Sequence, residues 1–399
     1  MKNGWQEKTL RDVCTKITDG SHGSPKSVNS GLPMASVKDL TPHGINLESC
    51  RFITKEDFAK LVKYDCRPQK GDVLIAKDGA TALDTVCQIN EEIEVVLLSS
   101  VAILSPNTNV VTTSFLRYFM DSPITRKYLK GGYITGAAIP RIVLEDFKRA
   151  LIRYPSISKQ TKITFILSAY DDLTENNIRR IKILEEMARR IYHEWSVEFN
   201  APGIKLRKAT PEEKKVTGKD VFPEGWAVKR VEDLVKRIPS GKKYENKTAK
   251  EIGTVPIIDQ GKSGVIGYHD DEPGVIASMD DPVIVFTNHT CYQRLIQFPF
   301  SAIQNVLPFV PTEVSFLNRN IYWLHWATNG IISFNDYKGH WPEFMKKMIV
   351  VPRKEDSERF GFNIKPMAQA IYSMEKQNTN LRQTRDLLLP KLISGEVEV

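Results

Sequence analysis

The chain has 399 residues, of which 41% are hydrophobic, with a net charge of +8 and a pI near 9.0. That is enough apolar material for two ordinary cores, and it excludes a disordered polyelectrolyte. No apolar run reaches the roughly 18 residues of a membrane span, no apolar signal region opens the chain, and Cys14, Cys50, Cys66, Cys87 and Cys291 have no CxxC spacing, so a cytoplasmic protein without a zinc site is expected.

The first element, GWQEKTLRDV (residues 4–13), returns as GWAVKRVEDL (residues 225–234) at an offset of 221. The same offset aligns Asp12 with Asp233, Lys16 with Arg237, Ile17 with Ile238 and Gly20 with Gly241. Runs with strand character follow, at residues 71–79 and 95–104 in the first copy and 275–286 in the second. Residues 113–129 read as one helix with Phe115, Tyr118 and Phe119 as its apolar members.

Two further echoes close each copy. LEDFKRALIRYP (residues 144–155) matches WPEFMKKMIVVP (residues 341–352) at an offset of 197, and NIRRIKIL (177–184) matches NLRQTRDL (380–387) at 203. The order A-B-C, A-B-C is a tandem duplication with domain-sized copies, each a mixed α+β globule, whose interiors share little sequence.

After Pro155 the pattern becomes a long helix. Ile163, Ile166, Tyr170, Leu173, Asn177, Ile181, Leu184, Ala188, Ile191 and Trp195 mark a seam with one extra residue near its middle, as a stutter gives. Pro202 and Gly203 end it. The last segment repeats the seam at Met367, Ile371, Met374, Asn378, Leu381, Arg385 and Leu388, so the two helices are expected to pair. Asn177 and Asn378 either fix register inside the pair or lie near solvent where it splays. Residues 201–224 read as a charged, solvated linker. The expected division is residues 1–155, 156–200, 201–224, 225–352 and 353–399.

No catalytic constellation is present: no phosphate loop, dinucleotide fingerprint, HExxH or GxSxG occurs, and the histidines are scattered. A recognition protein fits better than an enzyme. The terminal LRQTRDLLLPKLISGEV (residues 381–397), the opening GWQEKTLRDV, TDGSHGSP (18–25), YPSISKQTKITFILSAYDDLTENN (154–177) and GVIASMDDPVIVFTNHTC (274–291) resemble the specificity subunits of Type I restriction-modification systems.

That resemblance implies two target-recognition domains separated by two long antiparallel coiled-coil helices, arranged as a pseudo-two-fold repeat. Each domain is then expected to read one half of a split, asymmetric DNA site, with the helix pair as the ruler between them. It also implies two methyltransferase subunits and restriction subunits as partners. S-adenosylmethionine, ATP and Mg would be bound by those chains, and none by this one. Two alternatives stay open on the residues alone: a protein-interaction scaffold, and an S-like subunit serving a fused methylase-nuclease.

Base edges and phosphates are read by Arg, Lys, Asn, Gln and hydroxyl side chains. The candidates are Ser21, His22, Lys26, Lys38, Lys77 and Arg141 in the first copy. In the second they are Lys242, Lys243, Tyr244, Gln260, Lys262, Asn288, His289 and Arg294. Solvated lysines and turn-forming Asn and Gln are the competing assignments. Tyr133, Trp323 and Trp326 are expected in the core.

Overall fold

The computed structural model describes residues 4–79, 81–135, 140–261, 264–334 and 338–399. The chain divides into two compact units, Met1–Glu175 with Asn378–Val399, and Asn176–Gln377. The division falls inside the two long helices.

In the first unit, Gln6–Thr9 pairs antiparallel with Leu151–Tyr154 and brings the ends of the domain together. A four-stranded antiparallel sheet follows, in the order Cys14–Asp19, Val101–Pro106, Val73–Ala76, Val86–Gln88. In the second unit Ala227–Arg230 pairs with Met348–Val351, and the sheet runs Val235–Arg237, Val306–Pro311, Val283–Thr287, Gln293–Ile296. The strand order is the same. Interiors that share little sequence have kept one topology.

The physical reason lies in the strands that are buried on both faces. Val73 and Ile75 face a cluster with Phe115 and Phe147, while Leu74 and Ala76 face one with Leu97 and Ile103. Ile284 and Phe286 face Trp323 and Phe344, while Val283 and Val285 face Phe300. A period of two places alternate residues on opposite faces, so any β-branched or aromatic residue of suitable size meets the requirement. A second sheet, three-stranded in the first unit and four-stranded in the second, covers the other face. It places Leu32–Ala35 parallel to Val96–Leu97 in the first, and Val255–Ile258 parallel to Ser301–Ile303 in the second.

The repeated residues have local tasks. Asp12 accepts a hydrogen bond from the Thr9 amide at 3.2 Å and Asp233 one from the Arg230 amide at 3.3 Å, capping equivalent turns. At Gly20 a Cβ would lie 2.2 Å from the Leu97 carbonyl oxygen, and Gly241 has φ +61 with Gly274 Cα 2.8 Å from the same position. Both mark where the chain leaves its first sheet strand against a close backbone neighbour.

Three sequence expectations change. Residues 113–129 form two helices, Thr113–Asp121 and Pro123–Tyr133, because Ser122 is extended ahead of a proline that cannot continue the ladder. Residues 95–104 divide between Val96–Leu97 and Val101–Pro106, in different sheets. Of residues 275–286, the sheet strand is Val283–Thr287, with Val275 bridged to Phe300.

Residues 201–224 are folded rather than a solvated linker. Leu206–Lys208 pairs with Val221–Pro223 around a helix, Pro211–Thr217. Phe199 meets Phe222 and Trp226 edge-on at ring distances of 5.7 and 5.9 Å. Some of the charges that suggested solvation pair with one another, as in the two-pronged Arg207–Glu213 contact at 2.8 and 2.7 Å and in Lys214–Asp220 at 2.5 Å.

The central helix, Ile157–Tyr192, ends in a π-turn at His193–Val197, and the C-terminal helix is Lys354–Ile393. In the first unit, Ile163, Ile166 and Leu167 cluster with Leu388, Leu389, Leu392 and Ile393. In the second, Ala188, Ile191 and Tyr192 cluster with Phe360, Ile364 and Met367. Early residues of one helix meet late residues of the other in each unit, so the pair is antiparallel.

The seam itself needs a correction. Leu173 is 45% exposed, whereas Leu167 and Thr174 are buried. With those two in place, positions 163, 167, 170, 174, 177, 181, 184, 188, 191 and 195 alternate steps of four and three without the expected stutter. Ile166 is half-buried beside this line. Apolar type misled at 173, because Thr174 turns inward by donating its hydroxyl to the Tyr170 carbonyl at 2.8 Å. Tyr170, Ile181, Leu184 and Ile191 are half-buried, as are Met367, Ile371, Leu381 and Leu388, and Met374 is buried. Asn177 and Asn378 are buried too, so neither sits at a solvent-filled splay. Asn177 donates to Gln377 at 3.4 Å.

Candidate nucleic-acid interface

The strand registers place most of the sequence-predicted residues at one end of each four-stranded sheet. Asp19 lies opposite Ala102, and Ala76 opposite Val101, so the loops after Asp19 and Ala76 leave from the same end. In the second unit, the chain after Arg237 and after Thr287 leaves from the corresponding end. The loops that hold Ser21–Lys26 and Lys242–Lys247 are therefore equivalent, as the offset of 221 aligns them.

At the opposite end the long helices attach. Buried Gln160 accepts from the Thr112 amide at 2.8 Å and donates to the Val110 and Pro155 carbonyls at 2.9 Å each. Ser357, which the offset of 197 aligns with Gln160, accepts from the Asn320 amide at 3.3 Å and is fully buried. Each domain thus presents one end of its sheet to a helix and leaves the other to solvent.

In the first loop, His22 and Lys26 are exposed, and His22 Nε2 lies 3.4 Å from Asp19. Ser21 is buried: its hydroxyl accepts from the Gly23 amide and donates to the Gly23 carbonyl, so it closes its own turn. Lys38 is exposed on a neighbouring turn. Lys77 is 4% exposed and pairs with Asp19 at 2.9 Å, which removes it from any DNA surface. A buried lysine beside a strand end answers a carboxylate, not a phosphate. Arg141 is exposed and reaches Asp78 at 3.3 Å.

In the second unit, Lys242 is exposed, 2.9 Å from Asp271, which raises its pKa and keeps it charged. The Lys243 ammonium turns to the Ser240 hydroxyl and the Ile303 carbonyl. Tyr244 is buried, stacked on His269 at 4.1 Å and hydrogen-bonded to Asp271 at 2.9 Å. It belongs to the fold and not to an open surface.

Gln260 accepts from the His289 amide at 3.3 Å, and His289 Nδ1 lies 3.0 Å from the Lys338 carbonyl. Asn288 accepts from the Trp341 amide at 2.8 Å. Arg294 donates inward to the Asp259 and Gly264 carbonyls at 3.3 and 3.1 Å, and burial lowers its pKa. These four side chains hold loops together, as such groups do next to turns. Lys262 lies outside the described residues. Trp323 is in the core, with Trp326 and Tyr133 packed against the domain cores.

Two residues escaped the sequence reading. Lys247 is exposed at the position that the offset of 221 assigns to Lys26, and the repeat itself was the signal that would have found it. Arg51 holds the first loop from a strand far along the chain, and nothing in the sequence links the two. Among the described residues no group of three or more His, Cys, Asp or Glu side chains gathers as a metal site, and no helix is long and apolar enough to cross a membrane.

Residues 2–186 match the family model of the Type I restriction modification DNA specificity domain. The chain is 26% identical over 311 residues to the Type I restriction enzyme MjaIX specificity subunit of Methanocaldococcus jannaschii, covering 72% of this chain and 70% of that protein. It is 22% identical to the HindI specificity subunit of Haemophilus influenzae over 98% and 99% of the two lengths. Over residues 2–186 the chain is similar to that DNA specificity domain, and over most of its length it is similar to Type I restriction enzyme specificity subunits. The fold agrees: the solved S subunit from M. genitalium superimposes with a TM-score of 0.60 at 16% identity, over 98% of this chain and 97% of that one. Within this chain the parts that repeat in sequence are the strand pairs and helices, and the sheet-end loops are among the parts that differ between the two copies.

Proposed function

We propose that this chain is a specificity subunit, each domain of which reads one half of a split DNA site through the loops at the free end of its four-stranded sheet. The helix pair sets the unread spacer and docks two methyltransferase subunits. The observation that carries this is the repetition itself: one strand order, used twice, presents unrelated loops from the same end. Direct contacts come from His22 and Lys26 in the first domain and Lys242 and Lys247 in the second, with Lys38 and Arg141 at the margins. Ser21, Lys77, Lys243, Tyr244, Gln260, Asn288, His289 and Arg294 shape these loops.

Adenine methylation and cleavage, with S-adenosylmethionine, ATP and Mg, belong to partner chains, including restriction subunits, in a cytoplasmic complex. Co-expression with the modification subunit of the same genome in a methylation-free host tests the reading. One split motif with a fixed spacer is the expected map; a soluble complex that leaves no new methylation, or a continuous motif, overturns it.

A further inference from the structure

We propose that Arg51 is the positioning residue of the first DNA-reading loop: it touches no base, and it fixes the loop that does. The inference rests on the assignment of residues 21–28 to DNA made above.

Arg51 opens the strand Arg51–Ile53, which pairs antiparallel with Leu32–Ala35. Its Nη1 donates to the Pro25 carbonyl at 2.7 Å and the Ser27 hydroxyl at 3.3 Å, and its Nη2 to the Ser24 hydroxyl at 2.9 Å, with Met34 Sδ at 3.0 Å. Three of these contacts fall on Ser24, Pro25 and Ser27, within the segment that carries His22 and Lys26. The base of the loop is tied by the Ser21 amide to the Leu97 carbonyl at 2.7 Å and the Val28 amide to the Phe52 carbonyl at 2.9 Å. Between those ties the guanidinium spans the loop from inside.

A planar fork fixes two points at once, which a lysine ammonium on a flexible stem does not. A loop held in one conformation leaves its donors unpaired against a wrong base. A loose loop adjusts and pairs again, so discrimination falls before affinity does. The guanidinium of the half-buried Arg51 donates to acceptors within the loop, so its hydrogen-bonding capacity is engaged there.

The test uses the co-expressed complex and its methylation map, with duplex binding measured across a salt series. Arg51→Lys is expected to lower discrimination against single-base variants of one half-site about ten-fold, since a good base contact contributes on the order of 1–3 kcal/mol. The other half-site, the salt slope and the melting temperature stay as they are. Ser24→Ala with Ser27→Ala, which leaves the charge in place, moves the same half-site by less.

An unchanged motif overturns the proposal. So does a uniform loss of affinity with a flatter salt slope in Arg51→Ala, because that is the behaviour of a phosphate contact. Lower melting with loss of all methylation in Arg51→Lys overturns it as well, leaving a merely structural residue. His22→Ala and Lys26→Ala distinguish failure of the loop assignment: if neither changes the half-site or the affinity, the loop reads no DNA and the role of Arg51 falls with it.

Discussion

The two domains rest on equivalent stretches of helix by different chemistry. In the first unit the central helix offers Asp171, which accepts from Arg117 at 2.6 Å, from Tyr118 at 2.9 Å and from Arg385 of the C-terminal helix at 2.7 Å. The offset of 197 aligns Asp171 with Ala368, and there the second unit uses an amide: Gln297 donates to the Ala368 carbonyl at 3.0 Å. One turn on, Phe298 stacks on Tyr372 at 5.6 Å. A duplicated frame therefore does not dictate how its domain is fastened. The geometry of the attachment was kept, and the fastening was free to become ionic on one side and amide and aromatic on the other.

The largest test of that comparison is Asp171→Ala. It leaves the buried Arg117 without its carboxylate and the half-buried Arg385 with Asp386 alone, and breaking a buried pair of the first kind costs about 3–5 kcal/mol. Amide exchange should rise in the helix Thr113–Asp121 while the second domain keeps its protection. Equal loosening in both would show that the two fastenings are not independent.

Next in size is Trp226→Phe against Trp5→Phe, two residues that the sequence repeat equates. The Trp226 indole donates to the buried Asp356 carboxylate at 3.0 Å, a bond to a charged group that contributes roughly 1.5–3 kcal/mol, whereas Trp5 packs against Gly395 and Phe115. Denaturant unfolding should find the second substitution milder. Tyr372→Ala comes third, losing about 0.5–1.5 kcal/mol of ring stacking in addition to buried area, with the first domain untouched.

Acid separates the two sides by sign. Burial alone would raise the Asp171 carboxyl, but Arg117 and Arg385 outweigh it and hold it below its ordinary 3.8. Its stabilisation is present above 3.8 and is lost as pH falls through the lower folded value. In the second unit Glu375 is raised above 4.5, by burial first and then by Glu185, with Arg294 opposing. Its contribution is present below 4.5 and fades as pH rises through the folded value. Mild acid should tighten the second unit's helix pairing, and stronger acid should loosen the first unit's. Glu375→Gln should abolish the mild-acid effect in exchange measurements and leave the other alone.

Much of the frame was legible. Gly20 and Gly241, Asp12 and Asp233, and Trp5 and Trp226 were visible as repeats because each has a local task that few residue types perform. The seam was legible except at 173 and 174, where composition favoured a leucine over a threonine whose hydroxyl is satisfied by its own helix. The interface was much less so. Lys77, Tyr244 and Arg294 carry chemistry that suits DNA, and the same chemistry suits the interior once a carboxylate or carbonyl lies opposite. Residue type states what a side chain is able to bind, and only the fold states what is placed within its reach.

By itself the sequence determined the duplication, the two long helices and the absence of familiar catalytic motifs, because these depend on periodicity and on short-range capping and turn requirements. The tertiary structure decided that the divergent interiors share one strand order, that residues 201–224 fold, and which polar side chains face solvent. Those outcomes depend on contacts between residues far apart in the chain, such as Arg51 with Ser24 and Asp171 with Arg385, whose partners no local pattern specifies.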